Sequence, residues 1–354
     1  MEDSNYLHKI YLVLLFVAIL IFGFICKMLS SVLLPVIFAI VFSFVLLPVI
    51  KFLKNKCKIP WTVSCIFLVI VTFFILFIIT SLLVSSLSTI AVEYPKYESK
   101  FMSVYKAIAP ALHLEVNEGE SFINNVWQYF KVREYVQSAA ISLSNGVISF
   151  GKTIVTVLLL MVFLLLEMKF ASSKLNLMLS GEANIKAKKV INRIIEDVIR
   201  FMSIKFIVSF ATALLVYFVC LIFGMDFPIV WAFIAFVMNF IPIFGSIISC
   251  GLTTLFAILQ FYPYSYGKII AIFLLVVLIN FSIGNIIEPR IEGNHLGLSP
   301  FIILFSLSIW GYIWGFAGMV MAVPIMVIIK IICENIDYLK PFAVILGNTK
   351  QKED

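Results

Sequence analysis

Three ionisable side chains, Glu288, Arg290 and Glu292, fall within five residues of a very apolar chain, in the run I-E-P-R-I-E. A charge of this kind at mid-bilayer costs roughly 2.5–3.5 kcal/mol, so three of them facing lipid would cost roughly 8–10 kcal/mol. The segment therefore leaves the membrane or lines a protein-enclosed, wet site. Three kinds of chemistry fit: interfacial charges on a solvated loop, an internal ion pair that fixes a gate or a subunit contact, or direct coupling to a solute or proton. Asn285, Pro289, Gly293 and Asn294 surround the charges and favour irregular backbone. His295 reads as an ordinary loop histidine.

A second polar interruption lies at residues 239–246, N-F-I-P-I-F-G-S, where Asn239, Pro242, Gly245 and Ser246 break a long apolar run. Paired interrupted helices are how many secondary transporters build substrate sites. The unpaired N–H groups of a helix start attract anionic or hydroxyl-rich groups, and freed carbonyls can hold a cation. A buried amide such as Asn239 needs partners, so it either ties two helices together or contacts cargo. Ser246 and Ser299 are placed to cap the helices that follow them. Lys205 is expected to snorkel to the interface at one end of its span. Asp226, at the other end, caps or begins the next helix near the outer surface. Trp310, Gly311, Trp314, Gly315 and Gly318, followed by Pro324, put small residues at helical spacing, which favours close helix packing over ligand stacking.

The elements that must hold these residues are membrane helices. The chain has 354 residues, 62% hydrophobic and 13% charged, with 35 Phe and a mean hydropathy of +1.11. Such a composition predicts an all-α polytopic membrane protein. About eight hydrophobic spans are expected, at residues 7–26, 29–52, 61–90, 147–166, 204–223, 227–261, 269–287 and 301–332. The two spans around residues 239–246 and 310–324 are ambiguous between broken crossings, paired short crossings and re-entrant hairpins. Irregular backbone at membrane depth survives only where protein or a wet cavity satisfies it.

Basic loops set the expected orientation. Lys51, Lys54, Lys56 and Lys58 crowd one connection, and Lys169, Lys174, Lys186, Lys188, Lys189, Arg193 and Arg200 another. Both are expected on the cytoplasmic side, with the N-terminus inside. The organisation expected is N-terminal helices at 1–92, a small helical external domain at 93–146, and a fourth span with an amphipathic helix at 147–203. A transport core at 204–338 and a cytoplasmic tail at 339–354 complete it. Net charge +7 follows from those loops, and no nucleic-acid-binding motif is present. The six cysteines lie in or beside apolar spans without a CxxC pair, as small buried hydrophobes. No metal-ligand spacing, P-loop, nucleophile elbow or HExxH occurs, so no cofactor and no enzyme activity are expected.

Several motifs, in order, carry a family resemblance: N-F-I-P-x-x-G-S at 239–246, I-E-P-R at 287–290, G-N-x-L-G-L-S-P at 293–300, W-G-Y-I-W-G-F-A-G-M at 310–319 and A-V-P at 322–324. Lys205 with Ser209, the G-M-D-F run at 224–227 ahead of Trp231, and L-L-P-V-I-F-A at 33–39 with Pro48 add to it. The chain resembles the autoinducer-2 exporter family of bacterial membrane proteins, also called the perM-type permease family. The resemblance implies a permease or exporter of a small polar solute, facilitated or gradient-coupled, in the bacterial cytoplasmic membrane. It also implies a homo-oligomer in the lipid bilayer. Sodium/proton exchange, as in some relatives, and a non-transporting membrane scaffold with a partner-binding external domain are the alternatives. Glu292 stands where the family commonly has an apolar residue.

Overall fold

In the computed structural model, the described residues are 20–108, 153–170, 182–292 and 297–347, with residues 13, 14, 17, 18, 138, 145, 146 and 151. Most of the expected external domain, and Gly293, Asn294 and His295, lie outside them. The helices are α1 (Ser30–Lys56), α2 (Trp61–Ile108), α3 (Thr153–Phe170), α4 (Glu182–Ile222), α5 (Pro228–Met238), α6 (Phe244–Phe261), α7 (Tyr266–Ser282), α8 (Pro300–Asn335) and α9 (Lys340–Leu346). Residues 20–28, ahead of α1, are also helical. Among the described residues, seven helices are long and apolar enough to cross a membrane. In hydrocarbon a helix pairs every backbone amide within its own segment, which is why these Leu-, Ile- and Phe-rich runs fold this way. The protein is an all-α polytopic membrane protein.

Two helices run past the expected boundaries. The third span's apolar stretch, Trp61–Ser86, ends close to the expected residue 90, but its helix, α2, continues to Ile108, into the start of the expected external domain. The amphipathic helix expected at 185–202 and the span expected at 204–223 form one 41-residue helix, α4. No proline or glycine separates Met202 from Lys205, and nothing else ends the hydrogen-bond ladder there.

The chain divides into two compact units. One comprises Met1–Ile66, Thr156–Ser203 and Asn294–Asp354; the other comprises Phe67–Val155 and Ile204–Gly293. Within the first, the Trp61 indole donates to the Leu165 carbonyl at 2.9 Å, and the Trp314 indole donates to the Cys26 carbonyl at 2.9 Å. Its α8 folds back on itself. Gly315 takes φ 60° and ψ −137°, a conformation open only to glycine at low cost. A Cβ on Gly318 would sit 1.8 Å from the Trp310 carbonyl oxygen. Ser306 Oγ donates to the Ala322 carbonyl at 3.1 Å. The arms 300–314 and 316–335 therefore form a helical hairpin, and the first rises only about 22 Å at 1.5 Å per residue. A backbone bridge between Leu298 and Gly347 brings the residues just before α8 beside the end of α9.

In the second unit, α5 and α6 make another hairpin. The ring of Trp231, early in α5, lies 4.7 Å from that of Phe256, late in α6, so the two helices run antiparallel. Helix α5 rises about 16 Å, well short of the roughly 30 Å of hydrocarbon. Residues 228–261 are thus a helical hairpin with one arm shorter than a crossing, while the other, α6, is long enough for one. Helix α7 returns alongside α6, with Cys250 Sγ 3.8 Å from the Val276 carbonyl. Val216, Val219, Cys220, Trp231, Ala235, Ala257, Ile272 and Val276 form the core where α4 to α7 meet.

Candidate functional site

One face of α4 carries the polar groups of the second unit. Lys205, Ser209 and Thr212 fall at i, i+4 and i+7, and all three are buried. Lys205 does not snorkel. Its side chain is 5% exposed, and Nζ donates to Glu288 Oε1 at 2.5 Å. One helical turn along, Ser209 Oγ accepts a hydrogen bond from Asn239 Nδ2 at 3.0 Å. Thr212 Oγ1 donates to the Val208 carbonyl at 2.9 Å, the usual local partner for a buried threonine. Helix α4 thus grips the end of α5 and the short helical segment that follows α7 with two polar contacts about 6 Å apart along its axis.

The α5–α6 tip is tightly wound. Asn239 N–H donates to the Ala235 carbonyl, Ile241 N–H to Met238, and Phe244 N–H to Pro242 at 2.8 Å. The last bond closes a γ-turn on Ile243, whose φ of 67° and ψ of −63° belong to a rare, strained form. A β-branched residue held there stores roughly 1–3 kcal/mol. Gly245 makes the turn possible: a Cβ there would lie 1.7 Å from the Met238 carbonyl oxygen. Ser246 is inside α6, whose N-cap is Ile243, so it is not a cap. Ser299 does occupy the N-cap position of α8, but its hydroxyl makes no capping bond. Its backbone N–H donates instead to the Leu346 carbonyl at 3.0 Å.

Residues 284–292 are helical rather than looped. Helix α7 passes through a π turn, Ile283–Ile287, into a short α segment, Glu288–Glu292. Glu288 is held by Lys205, while Asn285, Pro289 and Arg290 are exposed. Glu292 closes the helical segment.

At the opposite end of the hairpin, Asp226 is a hub. Its carboxylate accepts from the Tyr97 hydroxyl at 2.7 Å. Its N–H donates to Gln260 Oε1 at 2.7 Å, and its carbonyl accepts from the Trp231 indole at 3.1 Å. Lys100 Nζ donates to the Gln260 carbonyl at 2.7 Å. The extension of α2 is thereby fastened to the open end of the hairpin. Asp226 immediately precedes the α5 N-cap, Phe227.

Asn239, Pro242, Gly245, Ser246, Asn285, Glu288, Pro289 and Arg290 all belong to the second unit. Ser299 and the Trp310–Pro324 group belong to the first. There, the Trp310 and Trp314 rings meet at 4.9 Å, tilted by 38°, Gly311 faces Met319, and Pro324 is buried. Sequence reasoning passed over Lys330, which is buried in α8. Its Nζ donates to the Gly297 carbonyl at 3.0 Å and lies 3.6 Å from Glu334, which in turn meets Arg193 at 3.4 Å. A lysine inside an apolar run with an acid four residues on was the available signal. Also unforeseen, the Ser249 and Thr253 hydroxyls of α6 are buried, with no hydrogen-bond partner among the described residues.

Comparison with known proteins extends the reading. The family model described as AI-2E family transporter matches residues 10–337. A Borreliella burgdorferi protein named "Putative transport protein" is 31% identical over 345 residues, covering 94% of this chain and 90% of its own. The AI-2 transport protein TqsA of Escherichia coli is 25% identical over 324 residues, covering 91% of each chain. A sodium-lithium/proton antiporter of Halobacillus andaensis is 27% identical over 169 residues, covering 46% of this chain and 45% of its own. Membrane-spanning helices, polar contacts within an apolar bundle and a family match across nearly the whole chain agree: this chain belongs to the AI-2E family of transporters.

Proposed function

We propose that the protein is a permease of the bacterial cytoplasmic membrane that exports a small polar solute, by facilitated or gradient-coupled movement. The observation that carries this reading is the pair of polar contacts on α4, Lys205–Glu288 and Ser209–Asn239, one helical turn apart inside an apolar bundle. Polar groups in such surroundings are costly and mark solute or ion pathways. The strained tip at Ile243 beside them is the kind of backbone that accompanies functional sites. In the proposed orientation the N-terminus and the lysine-rich connection after α1 face the cytoplasm. Lys205 and Glu288 then stand toward the inner side, with Asp226 and Gln260 toward the outer. Ser299, the Trp310–Gly318 turn and Pro324 shape a second hairpin of the transporter, and assembly is as a homo-oligomer. Autoinducer-2, the cargo named for the Escherichia coli relative, is the first solute to try. Efflux from proteoliposomes, native against Glu288→Gln and Asn239→Ala, tests the path. Unchanged efflux of every solute in both variants refutes it.

Cation/proton exchange is the second reading, favoured by the buried ionisable pair itself and by the name of the Halobacillus relative. It requires sodium-dependent proton flux in everted vesicles. Flat traces across pH and sodium concentration exclude it.

A further inference from the structure

Pro289 follows Glu288 immediately and stands just past the π turn. In an uninterrupted α-helix its ring would collide with the carbonyl four residues back, that of Asn285, and would leave that carbonyl without its donor. The cost is about 3 kcal/mol or more. A π turn relieves the clash because it widens the ring of backbone atoms by one residue. Here the Glu288 N–H donates to the Ile283 carbonyl, five residues back.

That extra residue also changes where Glu288 points. Each residue of an α-helix subtends about 100°, so everything beyond the π turn is rotated by about that angle from where a regular helix would place it. In the rotated register the Glu288 side chain is 14% exposed and meets Lys205. Ile287, Pro289 and Arg290 on either side of it are exposed. Loss of the extra residue's phase would carry the carboxylate away from α4.

We infer that Pro289 and the π turn Ile283–Ile287 form a register lock: the proline holds α7 in the π form, and that form aims Glu288 at Lys205. Pro289 is a positioning residue rather than a helix stop. The lock stands whether or not the ion pair lies on a cargo path, and its test uses no transported solute.

A carboxylate held by an ammonium group stays charged and inert to a hydrophobic carbodiimide. Left without its cation in an apolar site, it takes up a proton and reacts. The full-length protein in liposomes is treated with dicyclohexylcarbodiimide, and the adduct on Glu288 is measured by mass spectrometry. Lys205→Met sets the level for an unpaired carboxylate. Pro289→Ala is expected to raise labelling severalfold over the native protein, to near the Lys205→Met level. Adding deletion of Ile286 removes the extra residue, so a plain α-helix regains the original phase. Labelling then returns to near the native level. This second variant also shows that the alanine protein has not simply misfolded. Native labelling of Pro289→Ala overturns the lock, as does labelling of the deletion variant at the level of Pro289→Ala alone. A proline acting only as a helix stop gives a more stable alanine variant with labelling unmoved.

Discussion

Removing one member of the Lys205–Glu288 pair is expected to cost far more than removing both. The charges are 2.5 Å apart, with side chains 5% and 14% exposed. At an effective dielectric of about 20, unit charges at the observed 2.5 Å attract by roughly 6–7 kcal/mol. Desolvation offsets much of that attraction, so the pair as a whole adds little to stability against a well-packed apolar replacement. A lone survivor is different. Glu288→Gln leaves a buried ammonium without its anion, and Lys205→Met leaves a buried carboxylate without its cation. Each single change should destabilise by about 3–5 kcal/mol. The double variant Lys205→Met/Glu288→Gln should recover to within about 1–2 kcal/mol of native, because no charge remains uncompensated. Equilibrium unfolding of purified protein in mixed micelles, followed by circular dichroism, measures all four corners of the cycle. Single costs below about 1 kcal/mol, or strictly additive ones, would show that the two groups are not coupled and refute the reasoning.

Three further outcomes follow from the geometry. Gly245→Ala should destabilise by about 1–3 kcal/mol, because its methyl would overlap the Met238 carbonyl 1.7 Å away; a neutral result in the same unfolding assay rejects the tight tip. Ile243→Gly should stabilise by about 1 kcal/mol through relief of positive-φ strain, since the isoleucine side chain is 56% exposed and loses little packing. A fall in melting temperature counts against the γ-turn. Tyr97→Phe keeps the ring contact with Phe256 at 5.4 Å but removes the donor to the Asp226 carboxylate. It should cost about 1.5–3 kcal/mol and speed hydrogen exchange around Gln260. An unaltered exchange pattern contradicts the role given to that bond.

Hydropathy made the helices legible, because backbone satisfaction in lipid leaves few alternatives. The polar interruptions were legible too, as residue types. Their shapes were not. Asn-Phe-Ile-Pro at 239–242 closes a helical-hairpin tip, whereas Ile-Glu-Pro-Arg at 287–290 continues a helix through a π turn. Proline has the same local effect in both. What differs is whether one wider turn can absorb the missing N–H. The fold-back of α8 depends on a single glycine conformation at Gly315, which an apolar run of that length does not reveal. A lysine at the end of an apolar run reads as interfacial because its side chain normally reaches for water. The partner of Lys205 lies 83 residues away in sequence, beyond any local pattern. Ser246 carries the right residue type for a cap, but the helix begins two residues before it, at Phe244, on account of the γ-turn.

The Ser249 and Thr253 hydroxyls lie in the packed face of α6, where Gly245, Ser249, Thr253 and Ala257 recur every fourth residue and are all buried. Small residues at that spacing let a neighbouring helix come close. The distance at which α6 meets its neighbours along this face is therefore set by side chains no larger than threonine.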